Sequence, residues 1–345
     1  MAACEYTYKA GEYDVSPEMK EDFDRDGFVI VRNLLDAEEV EKLRQTVGGA
    51  DGGMLSNAFH SADDTGRLVK VCLWKHPGND VTGIIARSNK VAGTFEKLLG
   101  GEVYQYHAKV NIKEPEQGGA FLWHQDYGYW YNNGLLFPDM GTVFIAMDRA
   151  DKNNGCLQVM RGSHRAGRVD HTRVAGQTGA DLGRVKHLEK VLEVVHAELE
   201  AGDAIFFHCN VLHRSDANRS NRIRWGYLIA YNRASNDPVY EHYNASYTPL
   251  NMVDDSEIKK CTNMTDFSGK CFTDPADNKN IVRGESHRPL SQAELVFVGI
   301  RIGLVTWLYS NAQHWQKGIW YRRLTFRSSC KEVWLHTQCL NFVTE

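Results

Sequence analysis

The stretch AIFFHCNVLHRSDANRSNRIRWGYLIAY, Ala204 to Tyr231, reads as two strands joined by a polar turn. AIFFH is a short apolar run, RWGYLIAY is rich in aromatic and branched residues, and the segment between them carries the Asn and Ser that favour turns. The same pattern recurs back along the chain in VYQYHAKVNI, TVFIAMD and GCLQVM, with NNG, RGSH and AGD as turn clusters. Short strands repeating from about Val103 predict a sandwich or barrel, not a doubly wound sheet.

Helices flank this β-rich middle. In SPEMKEDFDRDG, Ser16 suits an N-cap, Pro17 the first helical position and Gly27 the stop. FVIVRNLL follows as a strand. DAEEVEKLRQTV then offers Asp36 and Glu39 as a capping box, with Val40, Leu43 and Val47 on one apolar face. From Asp51 to Asp64 the chain is rich in Gly, Asp and Ser and reads as a mobile loop. Asn244 to Arg288 is polar and turn-rich, and no pattern after Leu290 can be assigned. The expected organisation is one domain over 1–290, with its core at about 16–238, and a divergent tail at 291–345.

Composition narrows the function classes. The chain has 345 residues and a net charge of −4, from 40 basic and 44 acidic side chains, so nothing in it recruits nucleic acid electrostatically. MAACEYTYKAGEYD lacks the apolar core of a secretory signal, and a cytoplasmic location is expected. The eight cysteines form no C-x-x-C pair, which argues against a zinc ribbon and for reduced thiols. The run LVFVGIRIGLVTWLY is about 15 residues and contains Arg301, against roughly 20 apolar residues for a membrane span. No membrane partner is expected, and the oligomeric state is open.

The chemistry rests on spacing. FLWHQDYGYW places His124 and Asp126 two positions apart, but with 14 histidines in the chain roughly one His-x-Asp is expected by chance. The opening stretch changes the odds. It offers His208 and His213, and His213 is followed by Ser215 and, at the start of the next strand, by Arg224. Ser and Arg at those offsets from any histidine have a chance expectation of roughly 0.04. Two imidazoles and a carboxylate make the facial triad that leaves open positions on Fe(II). A dicarboxylate that chelates iron through a 2-oxo acid end leaves its distal carboxylate buried, where an arginine fork and a serine hydroxyl would pair it. His164, His171 and His208 are read as structural.

VYQYHAKVNI, WHQDYGYW, NNGCLQVMRGSH and VLHRSD, ending in Arg224, together resemble the phytanoyl-CoA dioxygenase superfamily of Fe(II)/2-oxoglutarate oxygenases. The nearer likeness is to the ectoine hydroxylase and L-proline hydroxylase branch, with similar N-x-K and WHxDxxxW patterns and the Y-N-R at Tyr231 to Arg233. It extends from about Ser16 to Pro238. The resemblance implies a double-stranded β-helix, a jelly-roll or cupin-like barrel, with iron at His124, Asp126 and His213. It further implies 2-oxoglutarate at Arg224 and Ser215, with Asn111 beside it and Trp130 in the nearby wall, and O₂ as the second co-substrate. Two departures stand out: His107 replaces the branch's glutamine, which weighs against both ectoine and proline, and Arg161 replaces the usual proline before Gly-Ser-His.

For several residues the bland reading stays open. Lys109 suits a strand surface as well as a substrate carboxylate, and His107 is equally undecided between structure and substrate. Asn111 could serve a turn, and the aromatics around Tyr127 and Tyr129 could simply fill a barrel. The expected activity is hydroxylation of a C–H bond in a small, amino-acid-like molecule with release of succinate and CO₂. Acyl-CoA hydroxylation, a non-catalytic barrel binding metal or 2-oxoglutarate, and a cupin-type isomerase or hydrolase are the rivals.

Overall fold

The structure, a computed structural model, describes residues 4–63, 65–174, 177–240 and 246–273. In chain order its strands are β1 Glu5–Thr7, β2 Phe28–Arg32, β3 Phe59–Ala62, β4 Leu68–Trp74, β5 Val103–Lys113, β6 Phe121–His124 and β7 Met140–Ala146. They continue with β8 Leu157–Met160, β9 His171–Val174, β10 Gln177–Ala180, β11 Val194–Ala197, β12 Ala204–His208, β13 His213–Ser215 and β14 Arg224–Arg233. The helices are α1 Pro17–Asp26, α2 Ala37–Gly48, α3 Val81–Arg87, α4 Thr94–Leu99, α5 Asp126–Trp130, α6 Leu182–Leu188 and α7 Glu257–Lys260.

The strands form a large mixed sheet in the order β1-β2-β12-β7-β14-β5-β4-β3, a smaller one in the order β11-β8-β13-β6, and the β9–β10 hairpin. From β5 onward the chain alternates between the two main sheets: β5 large, β6 small, β7 large, β8 and β11 small, β12 large, β13 small, β14 large. That winding is the double-stranded β-helix, or jelly roll.

Strand alternation gives the large sheet two buried faces. One face (Val29, Val143, Ile145, Phe206, Tyr227, Ile229) packs on the helical layer through Phe23, Leu43, Ile85 and Phe95. The other (Ile30, Phe144, Ile205, Phe207, Leu228) meets Leu157 and Val159 of the smaller sheet. Burial on both faces explains why TVFIAMD and AIFFH are nearly continuous apolar runs.

The caps form as the sequence indicates. Ser16 accepts from the Met19 amide, and Gly27 ends α1 at φ 82°. Asp36 and Glu39 close their box at α2. Two expectations change. The segment taken as a mobile loop contains a 3₁₀ helix, Ala50–Asn57, and strand β3, whose polar alternation hid it: Phe59 and Ser61 face inward from a sheet edge. The aromatics Tyr127, Tyr129 and Trp130 lie on α5 and not on a strand, because the chain leaves the ladder after His124. The tail at 291–345 lies outside the described residues. Among the described residues no helix is long and apolar enough to cross a membrane.

Gly226 of β14 lies opposite Asn111 and Ala146, and a Cβ there would come within 2.3 Å of the Phe144 ring. Phe144 is buried beneath the Arg224 guanidinium, so the ring could give way only by shifting toward that side chain and the adjoining cavity. Gly226→Ala is expected to cost about 1–3 kcal/mol of stability, read as a lower midpoint in chemical denaturation with an unchanged slope.

Candidate active site

Backbone register assembles the polar centre. β13 pairs antiparallel with β6, setting His213 directly opposite His124, and the two ring centroids are 4.1 Å apart. Asp126 lies two residues beyond the end of β6, as the first residue of α5. Its Oδ1 lies 3.8 Å from His213 Nε2, and one ligand atom from each of the three residues falls within 4.8 Å of the others. All three side chains are 9 % exposed or less.

Each histidine is oriented by its own backbone. His124 Nδ1 donates to the Leu122 carbonyl at 2.7 Å, and His213 Nδ1 donates to the Val211 carbonyl at 3.0 Å. A carbonyl can only accept, so both Nδ1 atoms carry the proton and both Nε2 lone pairs are free to face the centre. Burial holds both imidazoles neutral by pushing their pKa values down, and each protonated ring would disfavour the other. Burial acts to raise the Asp126 pKa, but His213, Lys109 and His124 outweigh it and bring it down to about 2. Tyr129 Oη donates to Asp126 Oδ1 at 2.9 Å and Thr142 Oγ1 to Oδ2 at 2.7 Å, which fixes the carboxylate plane. Two neutral imidazoles and one carboxylate, converging from one side, suit a divalent metal with positions left open.

The residue between the ligands is a rivet. Gln125 is fully buried and donates to the Gly167 and Asn210 carbonyls, while its Oε1 accepts from the Val169 amide. Its own amide donates to His171 Nε2 at 2.8 Å. His171, read as structural, opens β9 and braces the segment between His124 and Asp126. His208 does close β12 away from the centre, with Nδ1 accepting from the Asn210 amide and its ring against Phe23 and His164.

A cavity of about 230 Å³ opens beside His124 and His213. Because alternate residues of a strand share a face, β5 sends His107, Lys109 and Asn111 into it. By the same rule His213 and Ser215 face it from β13, and Arg224 enters from the start of β14. Apolar walls come from Phe59, Val71, Leu73, Phe121 and Leu157, and Gln177 and Thr178 of the hairpin cover one side.

The polar lining is short of partners among the described residues. Arg224 is 2 % exposed, its Nε has no hydrogen-bond acceptor, and its guanidinium lies 4.9 Å from the Phe144 ring centroid. Burial lowers its pKa to about 10, so it stays charged at neutral pH. Asn111 Oδ1, Trp130 Nε1 and His107 Nδ1 are likewise buried without partners. His107 packs edge-on to Trp130 at 5.3 Å, and burial with the nearby Lys109 charge pushes its pKa down to about 3, so the ring is neutral. Burial also lowers the Lys109 pKa, against the pull of Asp126. Orphaned donors and acceptors of this kind fit a bound acid with several oxygens.

The structure thus gathers His107, Lys109, Asn111, His124, Trp130, His213, Ser215 and Arg224 around one cavity, with Asp126 beside the two histidines. Tyr129, Thr142 and Gln125 escaped the sequence reading because their role is to support another side chain. Lys113, the lysine of the N-x-K pattern, continues the alternation of His107, Lys109 and Asn111 and is buried with its Nζ on Ser215.

A buried two-histidine, one-carboxylate centre in a double-stranded β-helix, beside an unpaired guanidinium, is the construction of an Fe(II)/2-oxoglutarate dioxygenase. The chain belongs to the phytanoyl-CoA dioxygenase (PhyH) family, whose match spans residues 23–226. It is 31 % identical over 234 residues to the L-proline trans-4-hydroxylase of Streptomyces griseoviridis, covering 63 % of this chain and 87 % of that protein. It is 29 % identical over 244 residues to the ectoine dioxygenase of Nocardia farcinica, covering 66 % of this chain and 80 % of that protein. In fold it is similar to EctD from S. alaskensis, solved with 2-oxoglutarate and 5-hydroxyectoine, with a TM-score of 0.58 at 20 % identity, covering 72 % and 90 % of the two chains.

His124→Ala, Asp126→Ala and His213→Ala should each abolish stoichiometric Fe(II) binding in anaerobic titration while the fold survives by circular dichroism. Tyr129→Phe, which removes one hydrogen bond to Asp126, should weaken Fe(II) by roughly 10-fold or more.

Proposed function

We propose that this chain hydroxylates a C–H bond of a small, amino-acid-like substrate that carries a carboxylate. In this reading His124, Asp126 and His213 hold Fe(II), and Arg224 and Ser215 bind the distal carboxylate of 2-oxoglutarate. When bound, iron and 2-oxoglutarate supply the oxidation of a C–H bond by O₂, with succinate and CO₂ released. The observation that carries the assignment is Arg224: a buried, charged, unpartnered guanidinium on the wall of the cavity beside His124 and His213. A buried charge left without an anion is costly, and a bidentate carboxylate removes the cost.

The protein's own part is positioning. Asn111 Oδ1 and Trp130 Nε1 offer an acceptor and a donor beside the co-substrate. Lys109 faces the same cavity with no ion-pair partner among the described residues, which suits a substrate carboxylate. His107, held neutral, selects by hydrogen bonding and shape and adds no second charge. The aromatic walls keep water from the reacting centre.

Small substrates are favoured over an acyl-CoA because about 230 Å³ must hold both co-substrate and substrate. The names of the two relatives point the same way, since L-proline and ectoine are both small amino-acid-type compounds. The imidazole at His107, where that branch carries an amide, favours a different member of the class. A complete donor set argues against a purely structural barrel, and the unpaired Arg224 against a simple metal hydrolase.

The decisive assay is succinate formation from 2-oxoglutarate with Fe(II) and O₂, with and without a pool of free amino acids. Turnover stimulated by the pool, with a product 16 mass units heavier, is expected; folded, iron-loaded protein without any turnover would sink the reading. Arg224→Met should raise KM for 2-oxoglutarate by at least roughly tenfold. Lys109→Met should raise KM for the amino-acid substrate by a similar factor while leaving the uncoupled decarboxylation of 2-oxoglutarate in place.

A further inference from the structure

β5 carries a bulge that turns one of its side chains away from the active site. His107 pairs with Ala230 of β14 and Gln105 with Tyr231, so Tyr106 is the extra residue between them. Residues two apart in a regular strand share a face, whereas the bulge sends Gln105 to the face opposite His107. On that face Tyr231 Oη donates to the Ala86 carbonyl at 2.6 Å, next to Arg87, the last residue of α3. Gln105 and Arg87 line a second cavity there, of about 240 Å³, together with His76 and the buried Leu250.

The polar groups of this lining are only partly used. Gln105 is 3 % exposed; its Nε2 donates to the Lys75 carbonyl at 2.8 Å, and its Oε1 has no donor. Turning the amide over would set its oxygen against that carbonyl, so Oε1 stays on the side without a partner. Arg87 gives one N–H to Asn79 Oδ1 at 3.1 Å and one to the Asn251 carbonyl at 3.4 Å, while its buried Nε has no acceptor. It has no carboxylate partner among the described residues: Asp80, whose charge acts on it, is paired with Lys270. Burial and the neighbouring Lys75 charge lower the His76 pKa, so that ring is neutral at pH 7. Arg87 is therefore the one charged residue in the described lining.

A guanidinium with unused N–H groups takes a carboxylate through two parallel bonds. An amide oxygen needs a donor, which a bare carboxylate lacks. The two together select one negative charge and one hydrogen-bond donor on the same small molecule.

We propose that this cavity is a second ligand site, which takes a small monocarboxylic acid bearing an amino or hydroxyl group, with its carboxylate on Arg87 and its donor on Gln105. Leu250 meets the carbon skeleton. The site lies across β5 from the active site and does not depend on what that site binds.

The test is an NMR titration of the full chain, labelled with nitrogen-15 in its arginines and loaded with Zn(II) in place of Fe(II), since a diamagnetic ion keeps the signals sharp. The probes are 2-aminobutyrate, 2-hydroxybutyrate and butyrate, which share a skeleton and differ only in the substituent beside the carboxylate. The Nε–H signals of Arg87 and Arg224, assigned from Arg87→Met and Arg224→Met, report the two cavities separately. The amino and hydroxy acids should shift the Arg87 signal saturably, and butyrate should bind there roughly tenfold more weakly because it leaves Oε1 unpaired. Gln105→Met should remove that preference and bring the three acids within about twofold of one another. Gln105→Glu keeps an acceptor in place and should retain the preference for 2-aminobutyrate over butyrate, and it serves if the methionine variant does not fold.

A shift confined to Arg224 would put the acids in the active-site cavity and overturn the second site, as would the absence of a saturable shift at Arg87. Equal binding of the three acids to the unaltered chain would mark an adventitious anion contact only. A preference that survives Gln105→Met would overturn the role of Gln105 and with it the class of ligand.

Discussion

The register between β6 and β13 is the constraint on which the rest of the site depends. Antiparallel pairing puts His213 opposite His124, and β8 closes on the other side with Val159. A slip of one residue would turn His213 and Ser215 to the opposite face. The apolar residues sandwiched between the two sheets, Leu157 and Val159 against Phe144 and Phe207, hold that register by packing. Iron chemistry is thus a consequence of how two short strands are locked by a dry core.

The second organising feature is charge left unsatisfied. Arg224 and Lys113 are buried together across the β5–β14 ladder, and Lys109 lies further along the same strand face. Two other buried lysines have carboxylate partners: Lys90 pairs with Glu39 and Lys270 with Asp80. The contrast separates scaffold from function. Lys90 and Lys270 are neutralised internally, whereas Arg224 has no carboxylate partner among the described residues.

Fold class and the main residues of the site were legible in the sequence for physical reasons that can be named. Turn clusters and apolar strands reported the jelly roll, and the caps at Ser16 and Asp36 reported the helices, because these signals are local. His213, Ser215 and Arg224 stood out because chemistry fixes their spacing along a strand, a turn and the next strand. Other features were hidden. Phe59 and Ser61 looked like loop because an edge strand with one inward face is only half apolar. His171 looked idle because its partner is the Gln125 amide, 46 positions away in the chain.

What the sequence determined by itself is the inventory: the main apolar strands, which side chains can ligate a metal, and which arginine can meet an acid. Tertiary structure alone decided how the inventory is used. It placed His107, Lys109 and Asn111 on one cavity wall, gave Asp126 its hydrogen bonds from Tyr129 and Thr142, and set Lys113 behind Ser215. The reason is that ligation and strand formation follow from residue type and short-range spacing. Burial, partnership and the charge state of a side chain depend instead on neighbours that only the wound barrel brings within reach.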